Sequence, residues 1–111
     1  MVEGLTMYLD EEENKSLHSE ILSASAPGSA MAVLWCDQDW VDAQAAPTSP
    51  WKLEDIHMKY GTSDPARIFK DCGWGVSEVS LYTQLCETLK RPDLLDPASK
   101  LNMIFALGIK E

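Results

Sequence analysis

The sequence predicts an α/β protein in which one sheet is layered with helices. Two apolar runs of strand length, 29–37 and 101–109, and one alternating run, 76–81, are separated by segments with helical spacing. Strands that alternate with helices are typical of layered α/β sheets. The chain has 111 residues, which is enough for one domain, 1–111, and too few for two.

Acidic residues dominate the charge of the chain, and this bears on its partners. The sequence has 18 Asp and Glu against 9 Lys and Arg, which gives a formal net charge of −9. Such a domain repels phosphate backbones, so we expect no nucleic-acid partner. Its apolar runs fall well short of the roughly 18 residues that cross a bilayer, and its acidic start does not resemble an export signal. We therefore expect a cytoplasmic protein with no membrane partner.

Neither the cysteines nor the acidic run predicts a metal site. Cys36, Cys72 and Cys86 are widely spaced and form no zinc pattern, so we expect three reduced thiols. Residues 10–13 are all acidic but lack the spacing of a calcium loop. A solvated helix start explains this run better, because acidic side chains suit the first turn of a helix.

The first part of the chain is predicted to run from a strand into a helix. Residues 1–9 are mostly apolar and start abruptly, as the end of a buried strand would. Asp10 and Glu13 have the spacing of a capping box, so a helix should begin there. Three apolar residues at helical spacing are expected to form its buried stripe: Leu17, Ile21 and Ala24.

Residues 38–63 are predicted to be mainly a long connection, because prolines, a glycine and small residues punctuate the segment. A short helix is expected within it at 53–58.

Three tryptophans allow two interpretations: they cap a pocket, or they pack in the interior, which is the usual place for large aromatic side chains. They are Trp35, Trp40 and Trp51.

Two further helices are predicted in the second half. Asp64-Pro65 combines a capping residue with proline at the first helical position, and Gly73 lies where a left-handed residue ends a helix. A last short helix is expected over 85–90. We also expect 29–37 to pair with 101–109, so that a carboxylate placed at Phe105 would prevent folding.

Glu3 is the residue in the apolar start that the pattern alone does not explain. Burying a carboxylate without partners costs several kcal/mol, so Glu3 is either simply exposed or placed at the carboxyl end of a strand, where α/β sheets gather ligands. In the second case it can accept hydrogen bonds from a cationic amine, and Tyr8 and Met7 would line the mouth of the same cleft. Tyr8 and Met7 are equally well explained as core residues.

Several short motifs, in matching order and spacing, resemble the leucine carboxyl methyltransferase family, which contains many O-methyltransferases that use S-adenosyl-L-methionine. The resemblance spans nearly the whole chain, although each motif alone is weak. The matching residues are Glu3-Gly4, Tyr8-Leu9, the segment 25–29 (SAPGS), Asp64-Pro65, Gly73-Trp74 and Arg91-Pro92.

The resemblance implies that 1–111 corresponds to the C-terminal half of a Rossmann-like class I methyltransferase sheet. That half runs from the end of the fourth strand through the seventh strand, and its last strand is antiparallel. The Gly-rich loop that holds the cofactor in the family has no counterpart in this sequence. By the same resemblance, Glu3 and Gly4 would contact the cofactor, Tyr8 and Met7 would contact the methyl acceptor, and 38–63 would form a variable cover on the acceptor side.

Three functions remain open at this point. The resemblance implies transfer of a methyl group from S-adenosyl-L-methionine to a carboxylate or hydroxyl of a small molecule or a protein C-terminus; it identifies no catalytic residue. The alternative is a non-catalytic interaction protein, whose half-sheet pairs with another chain or with a second copy. The third is an unrelated small α/β module.

Overall fold

The structure, a computed structural model, describes residues 1–46, 57–94 and 103–111. Within these ranges the chain is a small α/β domain with an open three-stranded sheet and four α-helices. The strands are β1 (Ala30–Cys36), β2 (Gly75–Leu81) and β3 (Met103–Ile109). The helices are α1 (Glu11–Ala24), α2 (Gln38–Ala45), α3 (Pro65–Asp71) and α4 (Tyr82–Thr88). No helix in the described ranges is long and apolar enough to cross a bilayer.

The strand order is β1-β3-β2, so the last strand in sequence lies in the centre of the sheet. β3 is antiparallel to both neighbours, and β1 and β2 therefore run parallel to each other. The strands predicted at 29–37 and 76–81 are confirmed, as is the described part of the strand predicted at 101–109. The predicted pairing of 29–37 with 101–109 is also confirmed, and Leu34 lies opposite Phe105.

The strand predicted over 1–9 is wrong in extent. Only Val2 takes part in the sheet, through a parallel bridge to Val33 of β1. The Val2 N–H donates to the Ala32 carbonyl at 2.8 Å, and the Val2 carbonyl accepts from the Leu34 N–H at 3.0 Å. Gly4 then adopts a left-handed φ of +67°, a conformation that breaks a strand, and a 3-10 helix follows at Thr6–Tyr8.

Helix α1 begins where the sequence predicts. The Glu13 N–H donates to the Asp10 carboxylate at 2.8 Å, and the Asp10 N–H donates to the Glu13 carboxylate at 3.1 Å, which completes a capping box. At the far end, the Lys110 ammonium donates to the Leu22 and Ser25 carbonyls, each at 2.7 Å. A cation at this helix end satisfies free carbonyls and suits the helix dipole.

The buried stripe predicted for α1 is wrong. Its members are only half-buried, at Leu17 and Ile21, or exposed, at Ala24. The fully buried residues of this helix are Asn14 and His18. The Asn14 amide nitrogen and the His18 Nδ1 find carbonyl partners there, whereas Asn14 Oδ1 and His18 Nε2 are buried without a hydrogen bond to the residues that the structure describes.

Asn14 and His18 belong to a chain of buried hydrogen bonds that crosses the domain. The His18 Nδ1–H donates to the Asn14 carbonyl at 2.6 Å, and the Trp74 indole N–H donates to the His18 carbonyl at 3.0 Å. The Asn14 amide donates to three carbonyls of the preceding turn, those of Thr6, Leu9 and Asp10, at 2.9 to 3.2 Å. The chain therefore links the start of β2 to the turn in front of α1.

The main core lies between one face of the sheet and helices α1 and α3. Phe69 of α3 is fully buried and its ring packs near-perpendicular to the ring of Trp35, which is 1% exposed, with centroids 6.2 Å apart. The interior placement of Trp35 matches the default interpretation of the tryptophans. The buried residues of this core are Met31, Val33, Trp35, Ile68, Phe69, Cys72, Trp74, Ile104 and Ala106.

The long connection predicted for 38–63 is wrong at its start, because α2 begins directly after β1. The Trp40 N–H donates to the Asp37 carboxylate at 2.8 Å, so Asp37 caps this helix. Val41 then packs with Cys36 and Met7 in a second, smaller buried cluster, with Trp40 half-buried beside it. Of the helix predicted at 53–58, the first four residues lie outside the described ranges, as does Trp51, and the last two are not helical.

Helix α3 confirms its predicted signals. The Asp64 carboxylate accepts from the Arg67 N–H at 3.3 Å, Pro65 occupies the first turn, and Gly73 follows the helix with a left-handed φ of +89°. The helix predicted over 85–90 starts earlier than expected, at Tyr82. Its start is fixed by the Gln84 side chain, whose oxygen accepts from the Leu81 N–H at 3.2 Å.

Neighbouring residues of β3 are expected to respond differently to a buried charge, because their side chains lie on opposite faces of the sheet. Ala106 is 3% exposed in the main core, whereas Phe105 is only half-buried. We expect Ala106→Asp to prevent folding or to cost about 4 kcal/mol or more, and Phe105→Asp to cost about 2 kcal/mol. Urea unfolding followed by circular dichroism measures both. Equal losses would contradict the assigned faces and would restore the expectation stated from the sequence.

The free energy of unfolding is expected to depend on the protonation of His18. Burial lowers the pKa of His18 below its usual value of 6.5, so the unfolded chain takes up a proton more readily than the folded chain. Stability contributed by neutral His18 is complete above about pH 6.5 and is lost as the pH falls towards the lower, folded pKa. The slope from this one proton does not exceed about 1.4 kcal/mol per pH unit.

Denaturation at a series of pH values checks this expectation, with His18→Gln as the comparison. Just below pH 6.5, the free energy of unfolding of the variant should lack the pH dependence that His18 contributes. An NMR titration of the His18 ring in the native protein gives the folded pKa directly and does not depend on the variant folding. A folded pKa at or above 6.5 would contradict the prediction.

Candidate functional site

Three segments of the chain leave the sheet at the same edge. β1 and β2 are parallel to each other, and Val2 is bridged in parallel to β1, so the residues that follow each of them emerge together. In open α/β sheets, ligands bind outside the carboxyl ends of the parallel strands. The carboxyl edge of this sheet is therefore the candidate functional site.

The structure places the four predicted site residues in the segment after Val2. Glu3 and Gly4 are exposed, and a Cβ added at Gly4 would meet no atom within 4 Å. Tyr8 is 37% exposed, whereas Met7 is 6% exposed and packs in the second cluster. Met7 and Tyr8 share the 3-10 turn, but Met7 directs its side chain into the protein rather than to an open surface. Glu3 takes the exposed alternative of the two left open by the sequence.

Hydrogen bonds hold the turn of Met7 and Tyr8 against the edge of β1. The Thr6 hydroxyl donates to the Leu34 carbonyl at 2.9 Å. The Met7 carbonyl accepts from the backbone N–H groups of Lys59 at 2.7 Å and Tyr60 at 3.3 Å. The turn is therefore fixed on both sides, by β1 and by the segment that approaches α3.

An open cleft lies at the same edge, between the starts of α2 and α3. It consists of two cavities of about 380 Å³ each, which share Gln38 and Ser63. The first cavity is lined by Glu11, Gln38, Tyr60, Gly61, Thr62, Ser63, Asp64 and Arg67. The second is lined by Asp37, Gln38, Asp39, Ser63, Leu81 and Ile104. We call the two together the edge cleft.

A charged pair forms one wall of the edge cleft. The Arg67 guanidinium lies 3.0 Å from the Glu11 carboxylate, and its other nitrogen lies 3.8 Å from the Asp71 carboxylate. The hydrogen bond from Arg67 lowers the pKa of Glu11 below its usual value. Glu11 is thus a carboxylate at neutral pH, and the wall presents paired charges rather than a free cation.

Tyr60 connects the edge cleft to the core. Its ring packs near edge-on against Trp35, with centroids 6.2 Å apart. Its hydroxyl oxygen is buried and makes no hydrogen bond to the residues that the structure describes. Burial raises the pKa of Tyr60, so the group is a neutral phenol at physiological pH.

The side chains of this edge suit binding and orientation more than covalent catalysis. Cys36, which precedes Asp37 of the cleft in the chain, is 3% exposed, and burial raises the pKa of its thiol to about 11, so it is a poor nucleophile at neutral pH. Among the described residues, no group of three or more His, Cys, Asp or Glu side chains is placed to hold a metal ion. The cleft offers hydroxyls, an amide and paired charges.

The individual lining residues of the edge cleft were not predicted from the sequence. Gln38, Tyr60 and Ser63 fall within the segment expected to cover the acceptor side, but no single residue in it stood out. Arg67 follows Asp64-Pro65 in the first turn of a predicted helix. The signal that could have identified Arg67 is that position, because helices that follow strands in α/β sheets begin at the ligand-binding edge.

Comparison of the chain with protein-family models gives no match, and comparison with curated proteins gives none.

The turn that carries Met7 and Tyr8 is expected to depend on Asn14. Asn14→Ala removes a side-chain donor from the carbonyls of Thr6 and Leu9, of which the Thr6 carbonyl keeps only a long bond from the Leu9 N–H at 3.4 Å; a buried group that loses its partner costs about 1–3 kcal/mol. We expect a loss of about 3 kcal/mol in the free energy of unfolding and faster amide exchange in 6–10. Hydrogen exchange read by NMR measures the second effect. Ser16→Ala, on the exposed side of the same helix, is the control and should change neither quantity.

Proposed function

We propose that the chain is a methyltransferase-like domain that uses S-adenosyl-L-methionine to methylate a carboxylate or hydroxyl oxygen. The observation that carries the proposal is the arrangement of the strands. The last strand, β3, is antiparallel to both of its neighbours. Val2, at the start of the chain, is bridged in parallel to β1, and α1 connects the two in sequence. This is the arrangement that the resemblance to the leucine carboxyl methyltransferase family implies for the region from the fourth strand to the seventh.

Glu3 and Gly4 are the residues proposed for the cofactor, and their placement is compatible with its methionine end. The Glu3 carboxylate is exposed at the carboxyl edge and can accept hydrogen bonds from an ammonium group. Gly4 has a positive φ and open space around it, so a ligand can approach its backbone closely. These two residues fit the amino-acid portion of S-adenosyl-L-methionine only, and the described residues of this turn supply nothing for its nucleoside.

Tyr8 and Met7 are proposed for the acceptor side, and the edge cleft extends this role. Tyr8 can offer its hydroxyl to an acceptor carboxylate, while buried Met7 acts by holding the turn in place. The edge cleft is open and combines apolar walls, at Leu81 and Ile104, with polar groups, a combination that suits an acceptor site for a small molecule or a protein C-terminus.

Methyl transfer of this kind requires mainly that the protein align the acceptor oxygen with the methyl group. S-adenosyl-L-methionine, when bound, supplies a methyl group already activated by a sulfonium. A carboxylate acceptor is ionised at neutral pH, so no residue of the chain needs to remove a proton from it. The contribution of the chain is then to orient the acceptor oxygen towards the methyl carbon, a role that fits hydrogen-bonding side chains on a fixed turn.

A second candidate function is binding to another polypeptide without catalysis. The half-buried apolar side chains on one face of β3 favour this second function. An apolar face that solvent can reach is typical of a surface that a partner covers. The two candidates use different surfaces, the carboxyl edge and the sheet face.

Binding of S-adenosyl-L-methionine to the ¹⁵N-labelled chain tests the first proposal. We expect weak binding, with amide shifts at Glu3 and Gly4. Glu3→Gln should weaken binding about fivefold, which is the effect of losing one exposed ion pair. Glu12→Gln removes an exposed carboxylate elsewhere and should leave the affinity unchanged.

Adenosine lacks the methionine portion and separates this ion pair from the rest of the ligand. Its binding should be the same for the native chain and for Glu3→Gln. The proposal is wrong if S-adenosyl-L-methionine shifts neither Glu3 nor Gly4 at its highest soluble concentration. It is also wrong if Glu12→Gln weakens binding as much as Glu3→Gln.

A further inference from the structure

The two faces of the sheet differ in how well they are covered. Side chains of β3 that point towards α1 and α3 are buried, at Ile104 and Ala106, each 3% exposed. Those that point the other way, at Phe105 and Leu107, are only half-buried. We call the surface that the described residues leave uncovered the open face; it consists of Ala32, Glu78, Ser80, Phe105 and Leu107, which are matched across the strands by register.

Within 1–46, 57–94 and 103–111, side chains border the open face but do not fill it. A shallow cavity of about 190 Å³ lies on it, and Leu85 of α4 stands at one side. At the carboxyl end of the sheet, the second cluster covers the same face, so that Cys36 is 3% exposed. The uncovered area thus lies between α4 and the second cluster.

The sequence of the central strand is one that suits burial on both faces. β3 reads MIFALGI, a continuous apolar run without polar alternation. Strands that face solvent on one side alternate apolar and polar residues, whereas strands covered on both sides read as continuous apolar runs. The composition of β3 therefore indicates that a further element covers the open face.

Width and charge indicate what that element is. Neighbouring strands lie about 4.8 Å apart, so the distance from β1 to β2 is about 10 Å, which is the diameter of one helix with its side chains. Helices already cover the opposite face.

Glu78 lies exposed on the open face, and the chain carries a net charge of −9. A second copy would bring the same charges against this surface, whereas a basic partner would be attracted to it.

We propose that the open face is a docking site for an amphipathic helix of a partner protein, with basic residues flanking its apolar stripe. The apolar stripe packs on Ala32, Phe105 and Leu107, and a flanking lysine or arginine pairs with Glu78. This inference is independent of methyl transfer, because it uses none of the residues proposed for the cofactor or the acceptor.

Two synthetic helical peptides test the proposal. Both carry the same leucine stripe; one is flanked by lysine and the other by glutamate. We expect the lysine peptide to shift the amides of Ala32, Ser80 and Leu107 in the ¹⁵N-labelled chain, and to bind at least about tenfold more tightly than the glutamate peptide. Added salt should reduce this preference.

Three variants connect the binding to the open face. Leu107→Ser should weaken the lysine peptide about tenfold, because burial of one leucine is lost. Val79→Ser is the matched control: Val79 is 43% exposed but lies opposite Ala106, on the other face, and its replacement should leave binding unchanged. Glu78→Lys changes an exposed residue and should reduce the preference for the lysine peptide even if Leu107→Ser fails to fold.

Each other result overturns the proposal. Equal affinity for the two peptides, or amide shifts away from the open face, would show that the surface does not select a basic helix. Concentration-dependent dimerisation in sedimentation equilibrium that Leu107→Ser abolishes would assign the open face to a second copy of the chain.

Discussion

The arrangement of this domain depends on the polar residues buried along α1. Asn14 and His18 fill positions that an ordinary amphipathic helix gives to leucine, and every described hydrogen bond they make is directed at backbone. Such bonds specify position more narrowly than apolar contact does, because they are lost when a donor and an acceptor separate by about 1 Å. The turn in front of α1, the helix itself and the start of β2 at Trp74 are therefore held in one geometry.

That geometry has a direct bearing on the candidate site. The role proposed for Tyr8 requires that its turn stay against β1; the Thr6 hydroxyl holds the turn to Leu34, and Asn14 holds it through the Thr6 carbonyl. The site proposed for methyl transfer and the buried centre of the domain are thus parts of one network. The open face, by contrast, is separated from that network by the thickness of the sheet.

Local signals in the sequence predicted most of the fold. Asp10 with Glu13 and Asp64 with Pro65 identified two helix starts, because capping depends on residues within one turn. The failures concern interactions between distant residues. Nothing near Asn14 announces that it faces Thr6 and Leu9, and nothing near Gly4 shows that the strand stops after Val2. The edge cleft was predicted only as a region, because contacts between distant residues place its walls. Tyr60 packs on Trp35, and Arg67 pairs with Glu11.

The three buried cysteines lie in different parts of the domain, so each thiol can report how often its own part opens. Cys72 lies in the main core, Cys36 in the second cluster and Cys86 in α4, each 6% exposed or less. A thiol in such a position reacts with an alkylating reagent only after its surroundings open. The order in which mass spectrometry finds the three alkylated would therefore rank how often each part of the native protein opens, without any substitution in the chain.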